Sequence, residues 1–331
     1  LVYTPILRNR QSELLALKEL ATGVKTICAP LLDLAAPSKT ADQLQARTYT
    51  ERNIARMATA MKGFSKVLVD SSELNSALRI HGNKHPLAEA GRALMDAGCT
   101  PVPVTGLHRD PHHLSSALEI KNSVAGGILC VRLDSTDIGT ATLTHKRLKD
   151  FIAKTSLNAA DVLLLLDLKS LYGDDRDAVI LECSRFLKQV SSDSWRGVIL
   201  AGYGFPDQIR DAVAVREQGY ISRIEQDLFF RLKQLHNLPD IWFGDYATVS
   251  PSHVELDWRI VSKVMGPKAM YALPDSWFVV RGSPFSSHKD GYGQYHDIAS
   301  EIVALAEFPG PSYSFGDKYI SECAAHAITS G

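Results

Sequence analysis

The chain has 331 residues, of which 45% are hydrophobic and 22% are charged, a composition typical of globular proteins with a large core. Its 36 Lys and Arg residues nearly balance 37 Asp and Glu residues, so the net charge of −1 does not indicate nucleic acid or an anionic membrane as a partner. The apolar runs are far shorter than the roughly 20 residues of a membrane span. Five scattered cysteines are typical of reduced core thiols, and we expect a cytoplasmic protein without a membrane anchor.

Short apolar runs alternate with amphipathic stretches along most of the chain, which indicates repeated βα units and a parallel sheet. Eight runs are predicted to be strands: 2–8, 26–34, 66–72, 100–107, 126–134, 161–168, 196–203 and 240–249. Apolar residues at helical spacing predict helices over 11–20, 41–62, 86–98, 111–124, 144–156, 177–191 and 223–237. Asp110 and Pro111 are the expected N-cap and first residue of the fourth of these helices.

Eight parallel strands that each lead into a helix predict an α/β fold, a (β/α)8 TIM-like barrel over residues 1–250. The alternative is an open doubly wound sheet, which usually has a glycine-rich first crossing. The first crossing here, "LRNRQSE", contains no glycine, which favours the closed barrel.

After the eighth strand the pattern changes. Residues 269–282 are typical of a hairpin with Pro274 and Asp275 in its turn, and residues 295–308 are typical of a helix. We expect 251–331 to be a C-terminal elaboration packed on the barrel, because about eighty residues with so few strands form a thin core.

Five of the eight predicted strands end in an aspartate, at the end of the barrel where active sites of this fold lie. They are Asp33, Asp70, Asp134, Asp167 and Asp245. As candidate catalytic residues they could act as general acids or bases, or ligate Mg²⁺ as a cofactor. Each one is also explained as a cap of the helix that follows it. Asp167 is the strongest candidate, because a carboxylate that follows four leucines needs donors or a cation.

Four basic residues at strand ends are candidate anion-binding residues: Arg8, Arg132, Lys169 and Arg281. A guanidinium offers a fixed fork suited to phosphate or carboxylate, although a buried pair with one of the aspartates explains an arginine equally well. The histidines lack the spacing of a zinc site, and no metal-binding residues are predicted. The serines of "VDSSEL" have no histidine partner fixed by spacing, so a Ser/His/Asp triad has weak support.

Seven segments occur in order along nearly the whole chain: "YTPILRNRQSELLALKEL", "PLLDL", "VLLLLDL", "WRGVILAGYGFP", "FGDYATVSP", "DSWFVVRG" and "YSFGDKYI". In order and spacing they resemble the beta-protein family, which is named after the beta protein of T-even bacteriophage. The family's opening motif is matched by Tyr3, Pro5, Ile6, Leu7, Arg8, Gln11 and Glu13. Asp33 stands where glutamate is more usual, and the family's Trp-Arg and His-bearing tail does not follow "HAITSG", so part of a site could be missing.

The resemblance implies a phage or bacterial protein from loci that look like mobile elements or anti-phage defence, with no established reaction to carry over. The first hypothesis is a recognition or scaffold subunit of a defence or counter-defence system, with other defence-system proteins as partners. The second is a barrel enzyme, with Mg²⁺ as a candidate cofactor, acting on a phosphorylated or nucleotide-like substrate. Fully paired aspartates favour the first hypothesis, and an open cavity with unpaired carboxylates favours the second.

Phe-Gly-Asp occurs twice, at 243–245 and 315–317. The first copy fits a strand end and the second lies in the C-terminal elaboration, so we do not expect a true repeat. Asp317 is expected either to approach the strand-end aspartates or to belong to a turn that caps the last helix.

Overall fold

The structure is a computed structural model that describes residues 2–236, 241–252 and 265–326. The chain forms two compact units. The barrel unit comprises 1–169, 175–202 and 228–249, and the second unit comprises 170–174, 203–227 and 250–331. None of the helices in the described ranges is long and apolar enough to cross a membrane.

A closed barrel of eight parallel strands forms the centre of the barrel unit. Its strands are β1 (Tyr3–Arg8), β2 (Leu31–Asp33), β3 (Lys66–Asp70), β4 (Thr100–Thr105), β5 (Leu129–Leu133), β6 (Val162–Ser170), β7 (Gly197–Tyr203) and, after β8 (Gln218–Ser222) of the second unit, β9 (Ile241–Asp245). Neighbours follow chain order, and β9 closes the barrel by pairing with both β7 and β1. The closed barrel is therefore confirmed over the open sheet.

Helices lie between the strands, as the amphipathic pattern predicts. They are α1 (Gln11–Lys18), α2 (Thr22–Ile27), α3 (Gln43–Ala60), α4 (Pro86–Asp96), α5 (Pro111–Ser123), α6 (Ser135–Gly139), α7 (Ala141–Thr155), α8 (Arg176–Val190) and α9 (Ile224–His236). Asp110 caps α5 by accepting from the backbone N–H groups of His112 and His113, as expected. The predicted strand 26–34 is wrong at its start, because Thr26 and Ile27 belong to the exposed helix α2 and only Leu31–Asp33 pairs as β2.

Burial explains why apolar and polar residues do not alternate in the sequence of strand β6. Its residues from Val162 to Leu166 have no exposed surface. A barrel strand is covered by helices on one face and by packed side chains on the other, so both faces are apolar. The apolar run ends at Asp167, at the rim formed by the carboxyl ends of the barrel strands. We call this rim the mouth.

The second unit contains a three-stranded antiparallel sheet in the order β10 (Lys268–Ala272), β11 (Ser276–Arg281), β8. The hairpin predicted over 269–282 is confirmed, with Ala272 opposite Trp277 beside the turn. Helices α10 (Gln294–Val303) and α11 (Phe315–Ala324) follow. The core of this unit combines Leu273, Phe278 and Val280 with Ile298 and Ile302 of α10.

Candidate functional site

Arg132, on β5, contacts three strand-end aspartates at once. Its Nε donates to Asp167 Oδ2 at 2.8 Å, and its Nη1 donates to Asp33 Oδ1 at 2.8 Å and to Asp70 Oδ2 at 3.0 Å. The side chains of the three aspartates are 7% (Asp33), 0% (Asp70) and 1% (Asp167) exposed. Strands β2, β3 and β6 thus bring their carboxylates together around one guanidinium, as the strand-end rule predicts for these three.

Further donors complete the arginine cluster, defined here as Arg132 with Asp33, Asp70, Asp167, Arg109 and Tyr246. The Tyr246 hydroxyl accepts from Arg132 Nη2 at 2.9 Å and lies 2.7 and 2.8 Å from the two carboxylate oxygens of Asp167. Asp167 Oδ1 also accepts from the backbone N–H of Lys169 at 3.2 Å. Asp70 accepts from Arg109 Nη2 at 3.2 Å and from the backbone N–H of Ser72 at 2.9 Å. Each buried carboxylate is therefore hydrogen-bonded, as burial of charge requires.

Within the cluster, the pKa values of Asp33 and Asp70 are shifted in opposite directions. Burial raises the pKa of Asp33 to about 6, with contributions from Asp70 and Glu73, against the opposing effect of Arg132. Burial acts on Asp70 in the same direction, but Arg109 and Arg132 together hold the pKa of Asp70 below its usual range. Burial and the neighbouring Asp167 raise the pKa of the Tyr246 hydroxyl, which stays protonated and able to donate.

The two remaining candidate aspartates have other partners. Asp245 accepts from the Tyr3 hydroxyl at 2.7 Å and from the backbone N–H of Ala247 at 3.0 Å. Asp134 is the N-cap of α6 and accepts from the backbone N–H groups of Thr136 and Asp137. Asp134 therefore has the capping geometry that the sequence offered as the alternative to catalysis.

The basic candidates other than Arg132 occupy separate positions. Arg8 forms an ion pair with Glu73 at 2.8 Å. The Lys169 side chain is exposed, and its backbone adopts a φ of +53°. In the second unit, Arg281 Nη1 donates to the backbone carbonyl of Val213 at 2.6 Å, and burial together with Arg210 lowers its pKa.

A metal site formed by the same residues would need their oxygens directed at one ion. Within residues 2–236, 241–252 and 265–326, no group of three or more His, Cys, Asp and Glu side chains is arranged to hold a metal ion. Asp33, Asp70 and Asp167 surround the positive charge of Arg132, so they do not fit a Mg²⁺ site, which needs their oxygens directed at the ion.

One serine of "VDSSEL", for which the sequence spacing gives no histidine partner, contacts a histidine in the fold. Ser71, directly after β3, lies with its Oγ 3.2 Å from Nδ1 of His113 in the first turn of α5. The two residues line a cleft of about 260 Å³ together with Arg109 and His85. Forty-two positions separate them in the chain, and only the pairing of β3 with β4 brings them together.

A closed (β/α)8 barrel with an arginine-centred ionic cluster at the strand ends defines the chain as a TIM-barrel-like protein. The model of the Beta protein family matches residues 3–331. The chain therefore belongs to the Beta protein family, and the expected relationship is confirmed. A comparison with curated proteins gave no significant match.

Proposed function

We propose that this chain is a recognition or scaffold subunit of a bacterial anti-phage defence system, or of a phage counter-defence system, and acts in the cytoplasm. The proposal is carried by one observation, the pairing of Asp33, Asp70 and Asp167 with Arg132 at the mouth. Catalytic carboxylates need a side that faces substrate, whereas these three direct their oxygens at donors of the protein itself.

The surface of the second unit supports binding of a protein partner. Phe315 and Tyr319 lie one turn apart on the same face of α11 and are 44% and 51% exposed. Tyr313, before the helix, is 75% exposed. Exposed aromatic side chains are enriched at protein interfaces, where they provide large contact areas at low entropic cost.

The test uses co-expression of the chain with the products of its neighbouring genes, followed by affinity purification and a phage plaque assay. We expect a neighbour to co-purify with the wild type, and we expect the double variant Phe315→Ser with Tyr319→Ser to lose both the partner and the protection. Tyr49→Ser, which changes a 40% exposed tyrosine on α3, is the matched control and keeps both.

A wild-type chain that retains no neighbouring protein, in cells whose phage sensitivity does not change when the gene is deleted, contradicts a defence subunit. Partner binding that survives the double variant places the interface elsewhere and removes the role of α11.

The second candidate function is enzymatic, and the observation that favours it lies beside the arginine cluster. The initial hypothesis of a phosphorylated or nucleotide-like substrate with Mg²⁺ requires open carboxylates at the mouth. The cleft of Ser71 and His113 supports different chemistry.

A further inference from the structure

The contacts of His113 fix which of its nitrogens carries the hydrogen. Its Nε2 lies 3.0 Å from the backbone carbonyl of Val104, which can only accept, so Nε2 carries the hydrogen and donates it. Nδ1 is then the acceptor, and the Ser71 hydroxyl donates to it at 3.2 Å. A hydroxyl that donates to an imidazole, with the far side of that imidazole held by a second acceptor, is the arrangement that activates serine nucleophiles.

Two titratable groups lie close to His113. Arg109 and Arg132 hold the pKa of Asp70 below its usual range despite burial, so Asp70 is ionised. The ring of His85 contacts His113 edge-on at 5.8 Å between centroids, and burial, followed by His113 and Arg79, lowers the pKa of His85 to about 4. His85 is thus neutral near pH 7.

Arg109 provides the cleft with unused donors. It donates to Asp70 through Nη2 alone, and no other hydrogen bond of its side chain occurs within the described ranges. The side chain is 26% exposed and lines the same cleft as Ser71. A guanidinium with free N–H groups beside a nucleophile is suited to a carboxylate on the substrate.

We propose that Ser71 and His113 form a nucleophile and general-base pair that hydrolyses carboxylic esters whose acyl group bears a carboxylate, held by Arg109. The Ser71 proton passes to His113 Nδ1 as Oγ bonds to the acyl carbon. The bond from that carbon to the alcohol oxygen breaks, and the proton passes from His113 to the departing alcohol. Water then adds to the acyl carbon and gives its proton to His113. The acid is released as this proton returns to Ser71.

The activity goes beyond the recognition role proposed above and does not depend on it. Of the arginine cluster it uses only Arg109, and it leaves Arg132 and the three aspartates that Arg132 contacts in their structural role.

Two measurements on the purified full-length chain test the proposal. A fluorophosphonate probe, followed by peptide mass spectrometry, is expected to modify Ser71, and His113→Asn is expected to slow this modification by about 100-fold. The control is Ser72→Ala, since Ser72 is the adjacent serine and makes no hydrogen bond to a histidine within the described ranges; it is expected to label at the wild-type rate. Circular dichroism melting of each variant establishes that it is folded.

The substrate class is tested with mono-4-nitrophenyl succinate, which is anionic, and 4-nitrophenyl acetate, which is neutral. We expect the wild type to prefer the anionic ester, and Arg109→Leu to reduce the ratio of the two rates by about tenfold. Folded wild type that acquires no adduct at Ser71, or Ser71→Ala with undiminished hydrolysis, overturns the nucleophile. An unchanged ratio in Arg109→Leu overturns the anionic substrate.

Discussion

Arg132 balances only part of the negative charge that surrounds it. Three aspartates contact its guanidinium, and Arg109 adds a second positive charge on the side of Asp70 only. Asp33 shares Nη1 of Arg132 with Asp70 and lies near Glu73. This asymmetry explains why the pKa of Asp33 is raised and that of Asp70 is lowered, although both carboxylates are buried.

The raised pKa of Asp33 predicts a pH-dependent difference between wild type and Asp33→Asn. An aspartate with a pKa of about 3.9 unfolded and about 6 folded holds its proton more tightly in the native state. Its contribution to stability is full below about pH 4 and is lost as the pH rises to about 6. The wild type should therefore lose on the order of 1–3 kcal/mol relative to Asp33→Asn between pH 4.5 and 7.

Urea titrations at the two pH values measure this difference, and comparison with the variant cancels the titration of all other groups to first order. A wild type that gains stability relative to Asp33→Asn over the same interval would show that the pairing with Arg132 outweighs the effect of burial on Asp33, contrary to its raised pKa.

At the scale of single elements, strand ends and helix starts compete for the same aspartates. Asp134 directly follows β5 and Asp70 is the last residue of β3, yet Asp134 caps α6 whereas Asp70 joins the arginine cluster. Asn, Ser and Thr cap helices almost as well as Asp, while none of them supplies a carboxylate.

This competition makes Asp134 a test of capping against catalysis. Asp134→Asn should retain wild-type stability, and Asp134→Ala should cost about 1 kcal/mol of unfolding free energy, because the N–H groups of Thr136 and Asp137 lose their acceptor. Both variants should keep phage protection and ester hydrolysis. Loss of either activity in the stable Asp134→Asn would assign the carboxylate a chemical role.

The two copies of Phe-Gly-Asp serve different elements. In β9, a Cβ on Gly244 would lie 3.0 Å from both Ala201 Cβ and the Thr4 carbonyl oxygen, so glycine allows the close approach of neighbouring strands. In α11, Ser314 is the N-cap, and Asp317 accepts from Ser314 and from the Tyr271 hydroxyl. The shared letters are a coincidence of a strand end and a helix start.

On the scale of the whole molecule, the barrel was predictable because its strands are continuous apolar runs with helices between them. Strands β8 and β2 depart from this pattern, each for a local reason. Strand β8, "QGYIS", pairs only in the small sheet of the second unit and has a largely exposed, polar sequence. Strand β2 is three residues long, and the apolar residues before it extend into α2.

The site was predictable only in part, because strand ends follow from the sequence and side-chain partners do not. The meeting of Asp33, Asp70 and Asp167 follows from parallel strands that end at one rim. The partners are set by side-chain length and direction: Arg132 reaches three carboxylates, whereas Arg8 turns to Glu73. The contact of Ser71 with His113 depends on the packing of α5 against β4, the strand beside β3, and has no signal in the spacing.

The central claim is that the arginine cluster stabilises the barrel, and the unfolding free energy of Asp167→Asn measures it most directly. Both oxygens of Asp167 accept hydrogen bonds, so the amide of asparagine must place its NH₂ group against a donor such as Arg132 Nε or the Lys169 N–H. We expect a loss of about 2–4 kcal/mol in urea unfolding with an unchanged slope. A variant as stable as the wild type, or more stable, that has lost its activity would contradict this claim and identify Asp167 as a carboxylate retained for chemistry.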